Sequence, residues 1–172
     1  MNTSTTKRIA VLALFTAASL IMFLIESQFP PLFFPGAKMG LSNLFSMLAL
    51  VLYGPGSAFV VIVCRTLLGS LFSNVSTLLY SFTAGIAAIA LSSVLVKFVF
   101  PAISLLSVSV AAAVFHNIVQ NFVFVLVTKT PQVFTYLPYL AVAGVLSGLI
   151  VGAVLLLLIK KIPLSVYRRV ID

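Results

Sequence analysis

The stretch 137-LPYLAVAGVLSGLIVGAVLLLLI-159 holds no charged residue and stops at Lys160 and Lys161. A helix needs about 20 apolar residues to cross the hydrocarbon core of a bilayer, so this run reads as a membrane-spanning helix closed by a basic pair. Gly144, Gly148 and Gly152 recur at intervals of four along it. At helical periodicity they share one flat face, and another backbone can approach that face closely. Packing inside a bundle is the reading of this glycine face.

Working outward, five more apolar runs emerge, at about residues 9–25, 41–53, 56–72, 77–98 and 103–127. The run at 41–53 is short, and the turn from Tyr53 to Gly56 after it is tight, which suggests that the second and third runs form a shallow or tilted helical hairpin. The expected fold class is all-α: an integral membrane bundle of about six transmembrane helices, in a single transmembrane domain covering residues 1–172. Composition agrees. The chain is 62% hydrophobic and 7% charged, with a mean hydropathy of +1.29. A water-soluble domain of this size has far more charge on its surface.

The charges are lopsided, ten Lys plus Arg against Glu26 and Asp172. Nucleic-acid binding needs basic residues clustered on a soluble face, whereas here they sit mostly at the ends of apolar runs, where topology signals belong. With six spans, Lys7, Arg8, Lys97, Lys160, Lys161, Arg168 and Arg169 fall on one side, and Lys38 and Lys129 on the other. The positive-inside rule then places both termini in the cytoplasm of a multi-pass cell-membrane protein. Lys7 and Arg8 before an apolar run also resemble a signal peptide. The run is long for one and has no convincing small-residue cleavage site, so an uncleaved first helix is expected. Cys64 is the single cysteine, which excludes an intrachain disulfide or a cysteine metal cluster.

The polar residues within apolar runs carry the functional reading. Arg65 lies near mid-membrane, where a charge is costly and faces a cavity or a partner. In the fifth run His116 and Gln120 are one turn apart, with Asn117 and Asn121 on an adjacent strip. Glu26, Lys38, Asn43, Tyr80 and Ser81 come from ends that the topology places outside. Together these ten residues outline one polar pocket open to the outside. Two readings stand for them. One is a structural network, with Glu26 neutralising Lys38 or Arg65 and the amides joining helices. The other is a ligand site. One carboxylate against two cations favours the second, with an anionic ligand group such as carboxylate or phosphate held by Arg65 and Lys38, and His116 bonding it in neutral form. The loop at residues 29–36 carries Pro30, Pro31, Pro35 and Gly36 among aromatic residues. It reads equally as a lid or as an interfacial segment.

The missing features matter as much. There is no glycine-rich phosphate loop ending in Lys-Ser or Lys-Thr. No carboxylate pair is present to hold magnesium, and no nucleophile, base and acid are arranged for acyl transfer. The expectation is a protein that is not an enzyme and that has no metal or cofactor of its own.

Residues 35–43, Pro-Gly-Ala-Lys-Met-Gly-Leu-Ser-Asn, joined to Glu26, Arg65, Tyr80-Ser81 and His116-Asn117-x-x-Gln120, carry a family resemblance. The chain resembles the small bacterial membrane proteins called Gx transporters, also called heptaprenyl diphosphate synthase component I, over nearly its whole length. That family is similar to the S components of energy-coupling factor (ECF) transporters. The resemblance implies an S-component-like bundle that captures a small vitamin- or cofactor-type molecule from outside, for release driven by a separate transmembrane T component and ATPases. It also implies that Ala13 and Ala17, one turn apart on the first helix, form the face toward the T component. The alternative it carries is an accessory membrane subunit of prenyl diphosphate or quinone metabolism, or of flavin-linked extracellular electron transfer. Prenyl-diphosphate synthases bind magnesium diphosphate through aspartate-rich motifs, and this chain has no aspartate before Asp172.

Overall fold

In a computed structural model, the protein is described over residues 3–28, 40–72 and 75–161. It is all-helical there. The elements are α1 (Thr3–Gln28), α2 (Asn43–Tyr53), α3 (Pro55–Ser70), α4 (Val75–Phe98), α5 (Leu105–Thr128), a short 3-10 helix (Pro131–Tyr136) and α6 (Leu137–Lys160). Stretches within α1, within α4, over α5, and over the 3-10 helix plus α6 are long and apolar enough to cross a membrane. α2 and α3 are shorter. At 1.5 Å per residue the 11 residues of α2 reach only about 16 Å, half of a hydrocarbon core of about 30 Å.

The local sequence explains where the elements begin and end. Gly54 takes a φ of 86°, and Pro55 opens α3, so α2 and α3 turn back on one another within two residues. Ser104 caps α5, its hydroxyl accepting from the Ser107 amide at 3.1 Å. α5 ends where Lys129 turns left-handed at φ 54°. Pro131 then starts the 3-10 segment, an element that no apolar run announces.

α1, α3, α4, α5 and α6 are successive neighbours in an arc, and α2 fills its inside against α1, α3, α4 and α6. The sequence reading of α2 and α3 is a shallow or tilted helical hairpin. The hairpin forms, but α2 is the best covered helix of the bundle, with Ala49 and Leu50 essentially inaccessible. A helix that short leaves its ends below the membrane surface unless other helices sheathe it, and here they do. Its apolar residues join Val61, Ile62, Val108 and Leu155 in the core.

The glycine face of α6 packs on α5. A methyl built on Gly144 would stand 2.8 Å from the Val114 Cα, and one on Gly148 would stand 2.5 Å from the Val110 Cα. One on Gly152 would meet the Leu106 Cα at 3.2 Å. Each step of four along α6 thus meets a step of four back along α5, an antiparallel seam of backbone on backbone.

Two ties fix α1 at its ends. At the end shared with the α2–α3 turn, the Arg8 guanidinium donates to the Ser57 hydroxyl at 2.6 Å and to the Tyr53 carbonyl at 3.3 Å, over the Tyr53 ring. At the other end the Leu41 amide donates to the Glu26 carboxylate, and the Ser19 hydroxyl donates to the Ser42 carbonyl at 2.6 Å.

Candidate functional site

The end of the bundle that carries Glu26 and the start of α2 also carries the later turns of α3 and α5. A cavity of about 470 Å³, counted to its open mouth, runs from Gly40 inward to Met47 and Val151. Its wall is mostly apolar or small: Met47, Ile62, Gly85, Ala88, Ala112 and Ala113 among others. The polar positions are few: Asn43, Ser109, His116, Asn117 and Ser147.

Arg65 stands beside this cavity. It is buried, 4% exposed, and its Nη1 donates to the Asn43 Oδ1 at 3.1 Å. Its Nη2 lies 3.7 Å from the place a Gly85 methyl would occupy, on the cavity wall. Its Nε has no hydrogen-bond partner among the described residues. A buried donor left so costs about 1–3 kcal/mol. Glu26 is close enough to act electrostatically on Arg65, while one of its oxygens holds the Leu41 amide. One carboxylate thus both anchors the entry to α2 and faces the buried cation.

The structure brings the expected residues together unevenly. Asn43, His116 and Asn117 line the cavity, with Arg65 directly behind Asn43. Asn117 also bridges helices, its amide donating to the Leu140 carbonyl at 2.9 Å. Ser81, Gln120 and Asn121 are buried but are not part of that lining. The Ser81 hydroxyl has no partner among the described residues, and the Asn121 amide reaches the Val133 carbonyl at 3.4 Å. Tyr80 is half-buried, edge-on to Phe124 with ring centroids 5.5 Å apart. Lys38 and the loop at 29–36 lie outside the described residues. Ala13 and Ala17 are exposed on α1, while Thr16 and Ser19 beside them turn inward. Sequence reasoning missed the apolar wall. Its one available signal was the run of small residues at 85 and 88 of α4 and at 109, 112 and 113 of α5, spaced to share helix faces.

A family model for heptaprenyl diphosphate synthase component I matches residues 15–158. The chain belongs to that family. Curated proteins include no match to it. Among solved structures, that of the S component of a bacterial ECF transporter is similar with a TM-score of 0.72 and 22% identity, covering 91% of this chain and 95% of that one. This member of the synthase component I family therefore has the S-component fold and is a multi-pass membrane protein. All ten expected site residues lie within the matched segment, Glu26 nearest its beginning.

Proposed function

We propose that the chain is a non-enzymatic substrate-binding membrane subunit. It captures a small anionic molecule of vitamin or cofactor type from outside the cell, for ATP-driven uptake by separate T and ATPase subunits. The observation that carries this is Arg65: a buried guanidinium, steadied by Asn43 on one side and with its Nε unmatched among the described residues, beside an open-mouthed cavity. A cation held so deep is costly, and a ligand anion would offset that cost. The mostly apolar wall suits the body of the ligand, and Asn43, His116 and Asn117 suit its polar edge.

Orientation follows from charge. Lys7, Arg8, Lys97, Lys160 and Lys161 belong to the end opposite the cavity mouth, which the positive-inside rule assigns to the cytoplasm along with both termini. The likeness in fold to an ECF S component supports the T-component and ATPase partners, with the exposed Ala13 and Ala17 of α1 as the docking face.

A second reading rests on the family's description as a diphosphate synthase component: an accessory subunit that holds a prenyl diphosphate or quinone-type lipid for another enzyme. Native mass spectrometry of the purified protein separates the two. The importer reading expects a retained small anion and co-purifying ATPases. A synthase or redox protein as sole partner would favour the accessory role. Arg65→Ala should lose the retained mass while eluting as the wild type does; unchanged retention would remove Arg65 from the site.

A further inference from the structure

Most of the described glycines have visible reasons; Gly56, exposed in the first turn of α3, and Gly85, inside the bundle, do not. Gly144, Gly148 and Gly152 let α6 lie on α5, and a methyl on Gly69 would press on the Phe23 ring at 3.0 Å. Gly40 and Gly54 take positive φ values of 69° and 86°. Gly85 has neither reason. It sits inside α4, buried, with ordinary helical backbone, and a methyl there would meet the Ile62 Cγ2 at 3.4 Å and the Arg65 Nη2 at 3.7 Å. Those are normal contact distances, so packing tolerates a methyl group. A glycine inside a helix is nonetheless less stable than alanine. What glycine provides here is space, and that space lies on the cavity wall directly against the guanidinium.

We infer that Gly85 is the size-determining position of the ligand site, its missing side chain leaving the volume in which an anionic group of the ligand meets Arg65. The inference rests on the cavity being the ligand site, and it names where in the cavity the charged end of the ligand goes. A carboxylate or a phosphate oxygen placed there would be within reach of the Arg65 Nη2, whose sister nitrogen Nη1 is held by the Asn43 Oδ1.

The test uses the full chain in intact cells, with Cys64→Ala removing the one native thiol. Gly85→Cys is treated from outside with sulfonatoethyl methanethiosulfonate, an anion, and with its trimethylammonium analogue, a cation. Both rates are normalised to those of a free thiol. Ala113→Cys, on the α5 wall of the same cavity, is the companion position. We expect both thiols to react, and Gly85→Cys to favour the anion by about fivefold for each sign of charge, the factor a unit charge some 4 Å away gives even in bulk water. Arg65→Gln should abolish that preference. If Ala113→Cys reacts while Gly85→Cys does not, or reacts without an Arg65-dependent preference, the inference falls and the ligand-site reading stands. If neither reacts from outside, the outward-open site itself is refuted, and the inference with it. Gly85→Ala supplies a readout independent of thiol chemistry. It should melt no lower than the wild type, and a lower melting temperature would show that packing requires the glycine and overturn the inference.

Discussion

Gly148→Ala adds one methyl group to the α5–α6 seam, and its cost can be worked from the geometry. The new carbon would stand 2.5 Å from the Val110 Cα and 3.0 Å from both the Val110 amide nitrogen and the Ser109 carbonyl oxygen. Carbon pairs pack best at about 3.5–4.0 Å, so the methyl lacks at least about 1 Å of room. The obstacles are backbone atoms, which cannot rotate aside as a side-chain tip would. α6 must therefore retreat from α5, and Gly144 and Gly152 on the same face lose contact with it. Overpacking of this kind costs about 1–3 kcal/mol, and a rigid obstacle places it toward the top of that range. Alanine returns roughly 0.8–1.0 kcal/mol of helix propensity. The net expectation is a loss of about 1–2 kcal/mol. Gly85→Ala makes the same chemical change with no contact under 3.4 Å, and should gain up to about 1 kcal/mol. The two variants should thus differ by about 2–3 kcal/mol, read from reversible unfolding of each purified variant in mixed micelles by circular dichroism. A Gly148→Ala variant as stable as Gly85→Ala would refute the claim that backbone contact at this seam dictates glycine.

Three further expectations follow from single contacts. Arg8→Met keeps the apolar stem but removes the bonds to Tyr53 and Ser57, a loss of about 1 kcal/mol; amide exchange should quicken in the first turns of α1 and stay unchanged near Glu26, and uniform quickening along α1 would contradict a local tie. Asn117→Leu removes the bond to the Leu140 carbonyl. Interhelical bonds of this type average about 0.6 kcal/mol and reach about 1.7, so a larger loss on thermal unfolding would mean that Asn117 holds more than α6. Glu26→Gln keeps an oxygen for the Leu41 amide while removing the charge that acts on Arg65. Labelling of Gly85→Cys by the anionic reagent should then become faster, and a slower rate would mean that Glu26 is needed to hold Arg65 in position.

The fold was legible because lipid imposes a simple code. Uninterrupted apolar length marks a span, and the glycines at intervals of four in α6 announce a close partner, which proves to be α5. The placement of α2 was not legible, because an 11-residue apolar helix reads the same whether it lies at a surface or in the centre. What decides is coverage by α1, α3, α4 and α6, a long-range matter that no local pattern encodes. The candidate site divides along the same line. Arg65, Asn43, His116 and Asn117 stand out because polar groups are rare in lipid-facing sequence, and they do converge. Met47, Ile62 and Ala88 have the same chemistry whether they face a cavity, a neighbouring helix or lipid, so the apolar wall appears only when the helices are placed. Asn121 shows the reverse case: a polar residue on the right strip whose amide is used to reach the 3-10 turn at Val133.

The two sides of the cavity are built by opposite rules. On the α5–α6 side, backbones lie within 3.2 Å of where side chains would begin, so positions there are fixed by close packing and tolerate little. On the α3–α4 side, Gly85 faces Ile62 and Arg65 across ordinary contact distances, with room for an added methyl group. A change on the first side moves helices and is read as lost stability. A change on the second fills space beside the guanidinium and is read as altered access to it. Stability and access to the guanidinium are therefore separable by position in this bundle, and Arg65, the one buried cation among the described residues, sits on the side where the packing leaves room to vary.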